Sequence, residues 1–198
     1  MLALKLGLSL VSTPRLGGWS PDDETSLQAW YQNAVGITLN GSDVSAWADS
    51  STNGYNMVQA TATEQPAYSA GVLTFVSADS NNLQTTGQVS LSGDFTLGIV
   101  FNPSISAPGT ILGDNTTSNE FIKYTSTTNF RIKMDGTIAN IPLDSGTFGD
   151  DYIVVTRVSN VLTLYKDGVA QSTTPTLAGT ADIDAIGVRS SDQDFLDG

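Results

Sequence analysis

Leucine occupies every second position from Leu2 to Leu10, with Ala3, Lys5, Gly7 and Ser9 between. A period of two is the signature of a strand with one apolar face. An unpaired strand of this kind invites aggregation, so it needs a partner. The partner is either another strand of the same domain or a neighbouring subunit that receives the segment as an arm. Val11 to Trp19 contains Pro14 and the pair Gly17-Gly18, which marks a connector. Ser20-Pro21-Asp22-Asp23-Glu24 then predicts a short helix ending near Gln28. Ser20 suits the N-cap, Pro21 the first turn, and the acids suit the positive end of the helix dipole. Capping accounts for this acidic trio without a metal.

Beyond Leu27 the apolar positions recur in short β-type runs: Leu27–Tyr31, Val44–Ala48, Val72–Phe75, Asp94–Phe101, Thr110–Leu112, Phe121–Thr125, Phe130–Met134, Tyr152–Val158, Val161–Lys166 and Ile183–Val188. Turn formers punctuate them, among them Asn40-Gly41, Asn53-Gly54, Ser92-Gly93, Asp135-Gly136 and Asp144-Ser145-Gly146. The clearest signal lies at 152–171. Ser159-Asn160 reads as a two-residue hairpin turn, which sets Val158 opposite Val161, Thr156 opposite Thr163, Val155 opposite Leu164 and Val154 opposite Tyr165. Ile153, Val155 and Leu164 then share one face. Val154, Thr156, Val158, Val161, Thr163 and Tyr165 share the other. Both faces can be covered, which places the hairpin inside a layered β structure. The pattern predicts an all-β protein, an antiparallel β-sandwich or jelly roll over residues 20–198, with one short N-terminal helix and a leading β arm over residues 1–19.

Composition narrows the function classes. The chain has 198 residues, a net charge of −12 and only eight basic residues, so an extended phosphate backbone is disfavoured as a ligand. Charged residues make up 14%, and solubility therefore rests on hydroxyls and amides. Absence of cysteine removes disulfides and thiolate metal sites. Absence of histidine removes the commonest general base and every serine triad built on it. The N-terminus lacks a basic leader region and carries Lys5 where a signal peptide would be apolar. No run reaches 18 consecutive apolar residues, so no transmembrane helix is expected. With the net charge, this leaves neither a nucleic acid nor a membrane as an expected partner.

Four segments together resemble the concanavalin A-like lectin/glucanase (laminin-G-like) jelly roll. Leu27-Gln-Ala-Trp30-Tyr31, followed by Trp47-Ala-Asp49-Ser-Ser-Thr-Asn53-Gly54, resembles that family's opening strand and turn. Gln65-Pro66-Ala-Tyr68 with Leu73-Thr-Phe75, the run Asp94–Phe101, and the hairpin containing Leu164-Tyr165-Lys166-Asp167-Gly168 resemble the segments that follow it. Residues 20–198 are covered by the likeness. Met1–Leu10 leading into such a body also resembles marine cyanophage virion structural proteins. In the family a further strand follows the Phe195-Leu196-Asp197-Gly198 segment, and Leu2–Leu10 is a candidate to fill that slot.

Each candidate site has a plainer structural reading beside it. Asp182 and Asp184 alternate on one strand, but the glucanases of this group use glutamates, and no glutamate follows here. Asp192, Asp194 and Asp197 could offer oxygen ligands to calcium, the one cofactor in view, or be free loop acids. Trp19 and Tyr55 are candidate sugar-stacking platforms beside loops, and Asn115 and Asn119 candidate hydrogen-bonding partners. Trp30 and Trp47 belong to the core motif instead. Leu2, Leu4, Leu6, Leu8 and Leu10 form the assembly arm. The resulting expectation is a non-catalytic virion surface protein of a tailed phage, a homo-oligomeric capsid decoration or tail appendage component. It would contact other virion proteins and sister subunits and carry an outward, lectin-like module for a cell-surface glycan. A carbohydrate-binding module of a secreted protein is the rival reading.

Overall fold

The computed structural model describes residues 2–3, 19–103, 108–190 and 194–198. Its strands are β1 (Leu2–Ala3), β2 (Ile37–Asn40), β3 (Asp43–Trp47), β4 (Met57–Val58), β5 (Ala67–Ser69), β6 (Val72–Thr74), β7 (Leu83–Leu91) and β8 (Phe95–Phe101). They continue with β9 (Gly109–Gly113), β10 (Phe121–Ser126), β11 (Asn129–Met134), β12 (Thr137–Pro142), β13 (Asp151–Val158), β14 (Val161–Lys166), β15 (Val169–Ala170) and β16 (Ala181–Ile186). The protein is all-β. One sheet runs β1-β8-β13-β14-β15; the larger runs β12-β11-β10-β9-β16-β7-β4-β3-β5-β6, with β2 on β3. All pairings are antiparallel except β1 with β8.

The 152–171 hairpin has the register its sequence predicts, from Val158↔Val161 to Val154↔Tyr165. Ser159 and Asn160 both take positive φ, as do Asp167 and Gly168 in the next turn. These backbone angles are those of mirror-image turns whose twist matches that of the strands. Ile153, Val155, Leu162 and Leu164 are fully buried. The opposite face differs from expectation, because Tyr152, Val158 and Val161 stand exposed.

Side chains of both sheets meet in one core. Leu97, Ile99, Ile153 and Val155 of the smaller sheet join Val89, Ile122, Phe130, Ile132 and Ile183 of the larger. Each such side chain stabilises the fold by about 1.5–3 kcal/mol when fully buried. Phe101 bridges the layers, its ring centroid 6.2 Å from Tyr124 and 5.9 Å from Phe148. Arg157 enters this core at 1% exposure. Its Nε donates to the Gly93 carbonyl at 2.5 Å and its Nη1 to the Gly179 carbonyl at 2.7 Å. The Phe95 ring lies 5.0 Å beneath its guanidinium carbon.

The expected helix is only a single 3-10 turn, Pro21–Asp23. Ser20 N–H donates to Asp23 Oδ2 at 2.8 Å, and Glu24 N–H donates to the Pro21 carbonyl at 3.1 Å. The Glu24 carboxylate then takes the Ser26 N–H and hydroxyl, which holds its pKa below the usual glutamate value. Such local side-chain bonds compete with helix propagation. Three residues are also too few to offset helix nucleation.

The Trp47–Gly54 motif is a latch. Asp49 Oδ1 accepts the N–H groups of Trp30 and Ser51, each at 2.8 Å, and Oδ2 accepts the Tyr55 N–H at 3.1 Å. Asn53 Nδ2 donates to the carbonyls of Leu27 and Gln28, each at 2.8 Å. Segment 27–31 is therefore bound to the 48–56 loop through side chains. It was expected as a strand, but it is absent from the assigned strands. Trp30 and Trp47 are buried, as their place in the motif predicts.

Candidate functional site

Alternation along β10 and β11 divides two kinds of side chain. Ile122, Tyr124, Phe130, Ile132 and Met134 enter the core. Phe121, Lys123, Arg131 and Lys133 therefore stand on the other face of the larger sheet. The register sets Phe121 beside Lys133 and Lys123 beside Arg131, and β12 adds Asn140 next to Arg131. Phe121 is 4% exposed yet lies outside the core cluster. Cations cover it: Lys123 Nζ, Lys133 Nζ and the Arg189 guanidinium carbon lie 5.2, 5.8 and 5.1 Å from its ring centroid.

Arg189 arrives on a strap that crosses β9. Gly187 N–H donates to the Ile111 carbonyl at 3.0 Å, and Ser190 N–H to the Asp114 carbonyl at 2.7 Å. Gly113 makes room for this crossing, since a Cβ there would lie 2.7 Å from that of Arg189. Asp194 closes the cluster. Its Oδ2 accepts Lys123 Nζ at 2.6 Å, Arg189 Nε at 2.9 Å and Arg189 Nη2 at 2.6 Å. Burial raises the Asp194 pKa, but these hydrogen bonds and charges outweigh it and hold the group below the usual aspartate value.

This depression gives a pH prediction. The Asp194 contribution is complete above the unfolded value of about 4 and is lost as pH falls through the lower folded value. Asp194→Asn is expected to be about 1 kcal/mol less stable than the parent near pH 7, the modest size reflecting a half-exposed group. The two proteins should converge once the pH has fallen below the folded value. Urea titrations from pH 3 to 7 measure the gap, and a gap independent of pH would refute the assignment.

The 114–120 loop borders the face. Asp114 Oδ1 accepts Thr116 N–H at 2.7 Å and Oδ2 accepts the Thr117 hydroxyl at 3.1 Å. Asp184 sits at the register shift between Ile183 and Ala185 and accepts Asn115 N–H at 2.7 Å. Burial pushes the Asp184 pKa up, and the Asp114 charge adds to the shift. Glu120 at the rim is likewise raised by burial.

The sequence candidates fall in several places. Asn115 and Asn119 share the 114–120 loop, and Asn119 is exposed. Trp19 is 65% exposed, just before the Pro21–Asp23 turn. Tyr55 is half-buried at the latch, its ring against Gly87, with its carbonyl accepting the Tyr31 hydroxyl. Asp192 and the arm residues Leu4, Leu6, Leu8 and Leu10 lie outside the described residues. Asp194 is bound by the two cations, whereas Asp197 Oδ1 accepts Ser77 N–H at 3.1 Å on a different element. No group of three or more carboxylates suited to a metal ion occurs among the described residues. Sequence reasoning missed Phe121, Lys123, Arg131, Lys133 and Arg189. The available signal was Phe121-Ile-Lys123 and Phe130-Arg-Ile-Lys133 in adjacent runs, where alternation puts Lys123, Arg131 and Lys133 on the face opposite Ile122, Phe130 and Ile132, together with Phe121.

Sheet, latch and cationic face define the class, an all-β two-sheet protein with charge gathered on one outer surface. The chain matches no family model and no curated protein.

Proposed function

We propose that the chain is a non-catalytic structural protein of a tailed-phage virion, a capsid decoration or appendage component that assembles as a homo-oligomer. Its body is a jelly roll facing outward. Interleaved strand order supports that architecture: β7 and β8 are adjacent in sequence but lie in different sheets, and β16 returns between β7 and β9. The observation that carries the reading is the edge of β8, which pairs in parallel with Leu2 and Ala3 of the same chain at Leu97 and Gly98 and with no other described strand on that side. Backbone pairing at a sheet edge is the means by which an arm joins a neighbour. β8 is seven residues long. The leucine alternation of 2–10 supplies a sequence suited to extending the same ladder. The carboxylate pair of a retaining glycosidase finds little support, since Asp184 is turned into the Asn115 loop.

Removing residues 1–19 tests the reading. The full chain is expected to sediment as a discrete oligomer and to band with purified phage particles. The truncated chain should be monomeric and absent from particles, with its β-type circular dichroism retained. A monomeric full chain that binds neutral glycans would instead favour the carbohydrate-module reading and overturn this one.

A further inference from the structure

Half of the chain's basic residues converge on one surface of a protein whose net charge is −12. Of the eight, Lys5 and Arg15 lie outside the described residues, and Arg157 is buried in the core. Lys166 is paired with Asp151 and Asp167. The remaining four, Lys123, Arg131, Lys133 and Arg189, share the outer face of β10–β12 and its strap.

We propose that this face binds an acidic polysaccharide, with Arg131 and Lys133 holding its carboxylate or sulfate groups. Lys123 and Arg189 are already joined to Asp194. Arg131 and Lys133 form no salt bridge among the described residues. Arg131 Nε donates to Asn140 Oδ1 at 2.7 Å, and Lys133 Nζ to the Ser118 carbonyl at 2.7 Å. Each keeps further N–H donors, and the planar arginine fork suits an oxyanion. Two residues along one strand are about 7 Å apart, a span for one or two anionic groups.

The neighbours favour a saccharide over an acidic protein surface. Thr125, Asn129 and Asn140 surround the cations with a hydroxyl and amides, matching a polyhydroxylated ligand. Phe121, which would be a protein-binding anchor if open, is closed over by three cations. Exposed Ile138 and Pro142 on β12 offer contact to the apolar face of a sugar ring. The inference goes beyond the reading above, giving the outward body a ligand, and is independent of the arm.

The test is affinity electrophoresis of the full chain in gels containing alginate, dextran sulfate or neutral dextran. Alginate, dextran sulfate or both should retard the protein, dextran should not, and added salt should weaken the effect. The double variant Arg131→Gln/Lys133→Gln should lose about tenfold or more in apparent affinity while keeping its melting temperature. Its sedimentation and particle association should be unchanged, which separates this face from assembly. Retardation by dextran equal to that by the acidic polymers overturns the proposal, as does wild-type binding by the variant. So does retention by poly-glutamate with none by either acidic polysaccharide.

Discussion

Arg157→Ala should unfold with a stability loss of about 4 kcal/mol and a melting temperature lowered by roughly 10 °C. The side chain is 1% exposed, and its donors serve carbonyls from two separate loops, Gly93 and Gly179. Met134 Sδ lies 3.2 Å from Nη1. Burial lowers the arginine pKa, with the Asp94 charge acting in the opposite direction. Truncation leaves a void and removes the donors from the Gly93 and Gly179 carbonyls, so two costs add. Arg157→Met separates them. It restores much of the volume and none of the donors, and an intermediate loss of about 2 kcal/mol is expected. Urea denaturation of both variants gives the comparison. Wild-type stability in the methionine variant would mean that the carbonyls find other donors.

Asp49→Ala is the second large effect, with an expected loss of about 3 kcal/mol. Its carboxylate accepts the N–H groups of Trp30, Ser51 and Tyr55 and the Ser51 hydroxyl. No other group replaces a carboxylate that satisfies three backbone donors. The Tyr31 and Trp47 rings, with centroids 5.5 Å apart, lie under the latch. Burial and the nearby Asp49 charge hold the Tyr31 phenol well above its usual pKa. Loss of the latch should red-shift tryptophan emission and weaken near-ultraviolet circular dichroism before global unfolding. Unchanged spectra together with full stability would show that the loop holds without it.

The same two regions explain what was legible in the sequence. The β13–β14 hairpin was readable to the residue pair, because Ser159-Asn160 fixes the register and every apolar position follows from it. The 27–31 segment was misread because Leu27, Ala29 and Tyr31 alternate, whereas its backbone is held by Asp49 and Asn53 side chains. β7, nine residues long, went unrecognised. It is rich in Thr, Gln and Gly, and Gly87 is there because the Tyr55 ring packs against the backbone. Hydroxyl and amide side chains weaken the period-two signal although the backbone ladder is complete. The cationic face escaped for a different reason. Lys123, Arg131, Lys133 and Arg189 are spread over 67 positions of sequence, and only the β10–β11 register and the strap over Gly113 bring them together.

Strand β16 occupies the middle of the larger sheet, between β9 and β7, although it is the last of the described strands in sequence order. As the polypeptide emerges from the ribosome, each half of that sheet therefore presents an open inner edge until residues 181–186 arrive. Completion of the described sheet comes by insertion of a central stave instead of steady growth from one side. Such late, long-range pairing slows folding and prolongs the exposure of edges that other chains can join. Synthesis rate and chaperone supply thereby become part of how this architecture is reached.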